Sequence, residues 1–171
     1  PCITSVGAAS AANKPRKWNF QMKYHGKNLR KGRYSEPGRP YLITSVTHNR
    51  IPVFTDLYCT WLVVNEMRKL HDSGVVDSIA WVIMPDHLHW LFTLHVSSLS
   101  EVIRQIKGRS ACKINAECHV VRQLWQRGFH DHALRKEEDI KAVARYVIAN
   151  PLRAGLVSSV GDYPHWDAVW L

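Results

Sequence analysis

Ile79-Ala-Trp-Val-Ile-Met-Pro-Asp-His-Leu-His-Trp-Leu-Phe-Thr-Leu94 decides the fold. An apolar run, Ile79 to Met84, meets a break at Pro85-Asp86, and a second run, Leu88 to Leu94, leaves it. Both runs are rich in β-branched and aromatic residues, so they predict two strands joined by a tight turn. Successive side chains of a strand face opposite ways, which puts the imidazoles of His87 and His89 on one side. Leu88, Trp90, Phe92 and Leu94 face the other way, toward a core. Two imidazoles side by side at a strand end can hold one divalent cation. They can equally be polar residues at a sheet margin.

Working outward, residues 40–48 read as a first strand. Thr55-Asp56 starts a helix to about residue 71, with Leu57, Trp61, Val64 and Leu70 on one stripe, ended by Asp72-Ser-Gly74. After the two central strands, Ser98 and Glu101 form the capping box of a second helix. Val102, Ile103 and Ile106 supply its buried side, and Arg104, Lys107, Arg109 and Lys113 its basic side. That side is either solvent contact or DNA contact. A fourth strand falls within Gly128 to Arg135. A last helix opens on Lys136-Glu-Glu-Asp139, runs to Asn150 and stops at Pro151, because the residue before proline resists the helical region. The order β-α-β-β-α-β-α predicts an α+β domain. It is a ferredoxin-like (RRM-like) antiparallel sheet with helices on one face and the His-x-His pair on a central strand.

With 171 residues, 46% of them hydrophobic, the chain suits one folded domain. Its net charge of +9 points to a polyanionic partner, nucleic acid first. Residues 14–39 hold nine Lys and Arg against Glu36 alone, so they carry eight of the nine charges. Trp18, Phe20, Tyr24 and Tyr34 are interleaved there. A purely solvated tail does not need four aromatics, whereas stacking on bases does. The expected division is a basic arm over 1–39 with its first 13 residues disordered, a folded domain over 40–157, and a tail over 158–171 that packs Trp166 and Trp170 back on the body. The candidate DNA contacts are Arg16, Lys17, Trp18, Arg30, Lys31, Arg33 and Tyr34, with Arg104, Lys107, Arg109 and Lys113 on the second helix. The four cysteines show no C-x-x-C pairing, which argues against a disulfide framework or a zinc ribbon and for a reducing cytoplasm. No apolar run reaches membrane-spanning length, and the first residues do not read as a signal peptide.

Tyr146 and Asn150 lie four residues apart on the last helix and share a face. Ile140, Val143, Ala144, Val147 and Ile148 form its apolar stripe, so the pair borders a cleft. Taken alone, a tyrosine at a core edge and an asparagine before proline are ordinary. Together with Met84-Pro-Asp-His-Leu-His89, Trp125-Gln126, Tyr146-Val-Ile-Ala-Asn-Pro-Leu-Arg-Ala-Gly-Leu-Val157 and Leu29-Arg-Lys-Gly-Arg-Tyr34 they are not. From about residue 29 to its end the chain resembles the REP-associated tyrosine transposases, relatives of the single-tyrosine HUH transposases.

The resemblance implies His87 and His89 as metal ligands, Asn150 as the polar group completing the metal site, and Tyr146 as nucleophile. It implies Mg2+ or Mn2+ as cofactor. The implied substrate is single-stranded or hairpin DNA from repeated extragenic palindromes, handled by a monomer or a homodimer near the nucleoid. Imidazole and amide donors suit magnesium less well than oxygen does, so manganese is as good a candidate. Two other readings stand beside it. One is a domesticated protein that binds hairpins without cutting, and the other a metal-dependent hydrolase that uses water and leaves Tyr146 structural. His130 and His132 share the i, i+2 spacing and are a rival metal pair; the expectation is that they are polar residues near the sheet edge.

Overall fold

A computed structural model of the chain describes residues 35–118, 123–135 and 138–169. The arm residues Arg16, Lys17, Trp18, Arg30, Lys31, Arg33 and Tyr34 lie outside the described residues. The elements are β1 (Pro40–Val46), α1 (Leu57–Asp72), β2 (Val76–Met84), β3 (His87–Leu94), α2 (Leu99–Glu117), β4 (His130–Ala133), α3 (Ile140–Ile148), α4 (Asn150–Arg153) and β5 (Trp166–Ala168). The strands make one antiparallel sheet in the order β4-β1-β3-β2-β5. Among the described residues no helix is long and apolar enough to cross a membrane.

The β2–β3 hairpin turns at Pro85-Asp86 and pairs Met84 with His87. β2 begins at Val76, three residues before the quoted stretch. The register slips between Ser78 and Ala80, so Ile79 is the extra residue of a bulge. β3 alternates as its sequence requires. Leu88, Trp90, Phe92 and Leu94 are fully buried with Tyr41, Ile43 and Ile83 beneath α1 and α2.

α1 starts where Asp56 accepts the backbone N–H groups of Tyr58 and Cys59 at 2.7 and 3.2 Å. Its buried stripe is Cys59, Leu62, Val63, Met67 and Leu70. Leu57 and Trp61 are 64% and 52% exposed, so the stripe read through them is displaced around the helix. Trp61 stacks on Tyr58 instead, 5.7 Å between centroids. At α2, Ser98 accepts the Glu101 N–H at 3.2 Å, but the Glu101 carboxylate turns to Arg104 and Gln105. Only half of the capping box forms.

The helices do not lie on one face. α3 covers the opposite face, packing Ala144, Val147 and Ile148 on Leu42, Ala80, Val82, Met84 and Leu91. The reason is in β2, which is apolar on both sides: Ala80, Val82 and Met84 against Trp81 and Ile83. Such a strand needs cover above and below. Trp166–Ala168 of the tail packs back as β5 beside β2, and the Tyr163 hydroxyl donates to the Ile83 carbonyl at 2.7 Å; Trp170 lies outside the described residues.

Trp90 is the largest fully buried side chain. Its indole N–H donates to Ser78 Oγ at 2.9 Å, and its ring tilts on Phe92 at 4.3 Å. Trp90→Ala is expected to cost about 3–5 kcal/mol through the cavity it leaves. That is a large share of a stability of about 5–15 kcal/mol. Urea unfolding measures it, and a loss under 1 kcal/mol contradicts this account of the core.

Candidate active site

Strand parity places His87 and His89 on the α3 side of the sheet, among Leu42, Thr44, Val82 and Met84. Each imidazole is anchored through Nδ1. The His87 Nδ1–H donates to Asp86 Oδ1 at 2.5 Å, and His89 Nδ1 meets Thr44 Oγ1 at 2.8 Å. Both rings therefore turn Nε2 to one point, where the two nitrogens are 3.1 Å apart. Asp86 is itself seated: its second carboxylate oxygen accepts from Arg50 at 2.8 Å, and its carbonyl accepts from the Thr47 N–H and hydroxyl at 2.9 and 3.0 Å. Asn49 and Arg50 hold left-handed backbone, φ 53° and 54°, in the loop that delivers the guanidinium.

The electrostatics suit a cation. The bond from His87, reinforced by Arg50 against burial, pulls Asp86 down to about 2, so it stays a carboxylate. Burial, then the charges of His87 and Arg153, push His89 down to about 3, so its imidazole is neutral at physiological pH. Neutral imidazole is the form that ligates. To hold a cation, both rings would offer Nε2 lone pairs and carry their protons on Nδ1, where Asp86 and Thr44 can accept them. The two Nε2 atoms are close enough for one divalent cation to be held by both. Among the described residues no three His, Cys, Asp or Glu side chains converge to hold a metal. Further ligands must be of other kinds, such as amide, water or substrate oxygen. The same finding holds of His130 and His132. Asp86→Asn keeps the shape but loses the carboxylate, and is expected to weaken Mn2+ binding about 10–100-fold. Titration by electron paramagnetic resonance reads this, and unchanged affinity contradicts the ligand pair.

Tyr146 lines a hollow with Leu42, Thr44, His89, His130, Asp131 and His132. It gets there because α3 buries Ala144, Val147 and Ile148, which leaves Tyr146 half-buried on the flank toward β1 and β4. Asp139 caps the start of α3 by accepting the Lys141 N–H at 2.9 Å. The helix ends at Ile148, and Pro151 sits in the first turn of α4, where its missing N–H costs nothing. Pro151 thus begins a second turn where the sequence suggested a stop. Asn150 closes α3: its Nδ2 donates to the carbonyls of Tyr146 and Val147 at 3.1 and 2.8 Å. Those bonds engage Nδ2 and not Oδ1. Among the described residues Asn150 bonds to neither imidazole.

β4 pairs His130 with Thr44 and His132 with Leu42, so both face the hollow from the edge strand. His132 Nε2 lies 3.0 Å from Glu138 Oε2. The α2 cations are elsewhere, because α2 packs on the other face of the sheet. Arg104 pairs with Glu101 at 2.6 Å and Lys113 with Glu66 at 2.7 Å. Lys107 donates to the carbonyls of Gln126, at 3.0 Å, and Gly128, and lies over the Trp125 ring. Arg109 is exposed. None of the four borders the hollow that holds Tyr146. Sequence reading overlooked Thr44, Asp86, Arg50 and Arg153. Only Asp86, next to His87 in the quoted stretch, carried a usable signal.

Residues 39–150 match the family model described as "Transposase IS200 like". The chain is 33% identical over 135 residues to the REP-associated tyrosine transposase of Escherichia coli (strain K12), covering 77% of this chain and 76% of that protein. A solved structure of a REP-associated tyrosine transposase bound to a REP hairpin superposes with a TM-score of 0.66 at 25% identity, over 85% of this chain and 81% of that one. A hairpin ending in two anchored imidazoles, a tyrosine on the helix across from it and these matches agree, and the chain belongs to the REP-associated tyrosine transposases of the IS200-like family.

Proposed function

We propose that this transposase is a metal-dependent single-stranded DNA endonuclease and strand transferase that acts on REP-type hairpins through a 5′-phosphotyrosine. The observation that carries the reading is the pair of Nε2 atoms 3.1 Å apart beside the hollow lined by Tyr146. His87 and His89 would hold Mg2+ or Mn2+, with Asn150 Oδ1 as the proposed third protein donor. The bound ion supplies charge neutralisation at the phosphodiester.

The chain's own groups do the rest. The Tyr146 oxygen bonds to phosphorus, the bond to the 3′-oxygen breaks, and the phenol proton is lost as that oxygen gains one. The 5′ side stays on Tyr146, which conserves the ester for attack by a second 3′-hydroxyl. Tyrosine ordinarily titrates near pH ~10, so nearby positive charge must favour the phenolate. Asp86 keeps His87 in the ligating tautomer, and the Thr44 hydroxyl can accept from His89 Nδ1 when that ring ligates.

A second reading is hairpin binding without cleavage. It is favoured by the Asn150 amide serving α3 and by the want of a third convergent His, Cys, Asp or Glu among the described residues. Labelled REP hairpin oligonucleotides with single-stranded flanks, incubated with Mn2+ or with chelator, separate the two. Protein-linked DNA on a denaturing gel, formed only with Mn2+, is the expected result. Tight binding with intact DNA in both arms supports the second reading, and cut DNA free of protein points to water as nucleophile.

A further inference from the structure

Arg153 has no part in the scheme above, yet its guanidinium lies over the Tyr146 ring, with Cζ 4.1 Å from the centroid. Its placement follows from the broken helix. Ala149 interrupts the run at φ −81°, ψ 0°, and α4 then carries Arg153 back across the tyrosine seven residues earlier. The side chain is exposed, and among the described residues it has no carboxylate ion-pair partner. Its charge also reaches His89, where it helps keep the imidazole neutral. A cation therefore stacks on the ring of the proposed nucleophile.

Stacking occupies only the flat face of a guanidinium. Its N–H donors lie in the plane and remain directed outward past the ring edge. That leaves a planar fork of donors beside the Tyr146 ring, available to a phosphodiester brought up to the phenol. Arg matches two phosphate oxygens at once, which the point charge of Lys does not. Negative charge spreads over the nonbridging oxygens as the phosphoryl group transfers, and a donor already in place stabilises it without reorganisation.

We propose that Arg153 is a catalytic residue that binds a nonbridging oxygen of the phosphodiester attacked by Tyr146. This rests on the endonuclease reading above.

The test combines binding with rate. In the full chain carrying Tyr146→Phe, each flank phosphate of a REP hairpin oligonucleotide is replaced in turn by a neutral methylphosphonate. At one linkage the replacement should weaken binding about tenfold when Arg153 is present and leave it unchanged in Arg153→Ala, as a lost charge-assisted bond requires. Additive losses at every linkage overturn the contact. With Tyr146 restored and Mn2+ present, Arg153→Ala should slow single-turnover adduct formation at saturating hairpin about 10²–10³-fold, beyond the roughly tenfold loss of affinity that the same contact accounts for, and Arg153→Lys should fall between. An unchanged rate in Arg153→Ala overturns the catalytic role. If the unaltered chain forms no adduct while the binding coupling appears, the phosphate contact stands and the endonuclease reading falls. A merely structural Arg153 moves neither the coupling nor its position along the DNA.

Discussion

Tyr146→Phe removes one oxygen and is expected to lower DNA cleavage at least about 10⁴-fold, because no other group takes over a covalent step. Hairpin affinity should stay within about threefold, since the ring, its Arg153 partner and the α3 seat are all kept. The stability change should be small, because Tyr146 is only half-buried and its hydroxyl holds no structural bond among the described residues. The contrast between lost chemistry and kept binding separates a nucleophile from a wall of the hollow. A Tyr146→Phe chain that still nicks removes the phenol from the mechanism and leaves water as the attacking group.

His89→Ala has the second large effect. It takes away one of the two nitrogens that meet at 3.1 Å and leaves Thr44 without its ring partner. Mn2+ affinity is expected to drop more than about 100-fold, beyond what loss of an outer-shell partner brings. Cleavage at micromolar Mn2+ should fall to background. His132→Ala is the control: it faces the same hollow but pairs with Glu138 and should leave Mn2+ affinity within about threefold. If His132→Ala lost the metal and His89→Ala kept it, the centre would belong to β4 and the ligand assignment would fail. Isothermal titration on both variants, with circular dichroism to confirm the fold, reads the difference.

The residues that could be read in advance are those whose geometry is set by their immediate neighbours. Pro85-Asp86 fixes the hairpin, and strand parity then settles which side His87, His89, Leu88 and Trp90 take. Caps at Asp56 and Ser98 are equally local. What could not be read depends on the third dimension. An apolar run such as Ile79 to Met84 is compatible with one covered face or two, and only α3 lying on Ala80, Val82 and Met84 decides for two. The α1 stripe could start at Leu57 or Cys59, because both spacings satisfy a 3.6 period until the sheet selects one. The basic side of α2 looked available for DNA. Three of its four cations also hold Glu101, Glu66 or the carbonyls after Trp125, partners set by the fold. Asn150 and Arg153 follow the same logic. Their work depends on the break at Ala149, which turns one amide onto α3 and one guanidinium onto Tyr146.

His130 and His132 show the limit from the other side. Their spacing matched that of His87 and His89, yet a metal-ligating imidazole generally has its other ring nitrogen tied, as the proposed site on β3 requires. Asp86 and Thr44 do this for β3, whereas Glu138 takes the ε nitrogen of His132 on β4. The partner of the ring, more than the ring's spacing, separates the two pairs.

The central claim is that Tyr146 takes the cut strand. The most direct measurement is mass spectrometry of peptides from the chain after incubation with a REP hairpin oligonucleotide and Mn2+. The account predicts one nucleotide-bearing peptide, spanning Tyr146 and modified at its phenol through a 5′-phosphate. Cleaved DNA with every peptide unmodified, or a nucleotide carried on any other residue, contradicts it.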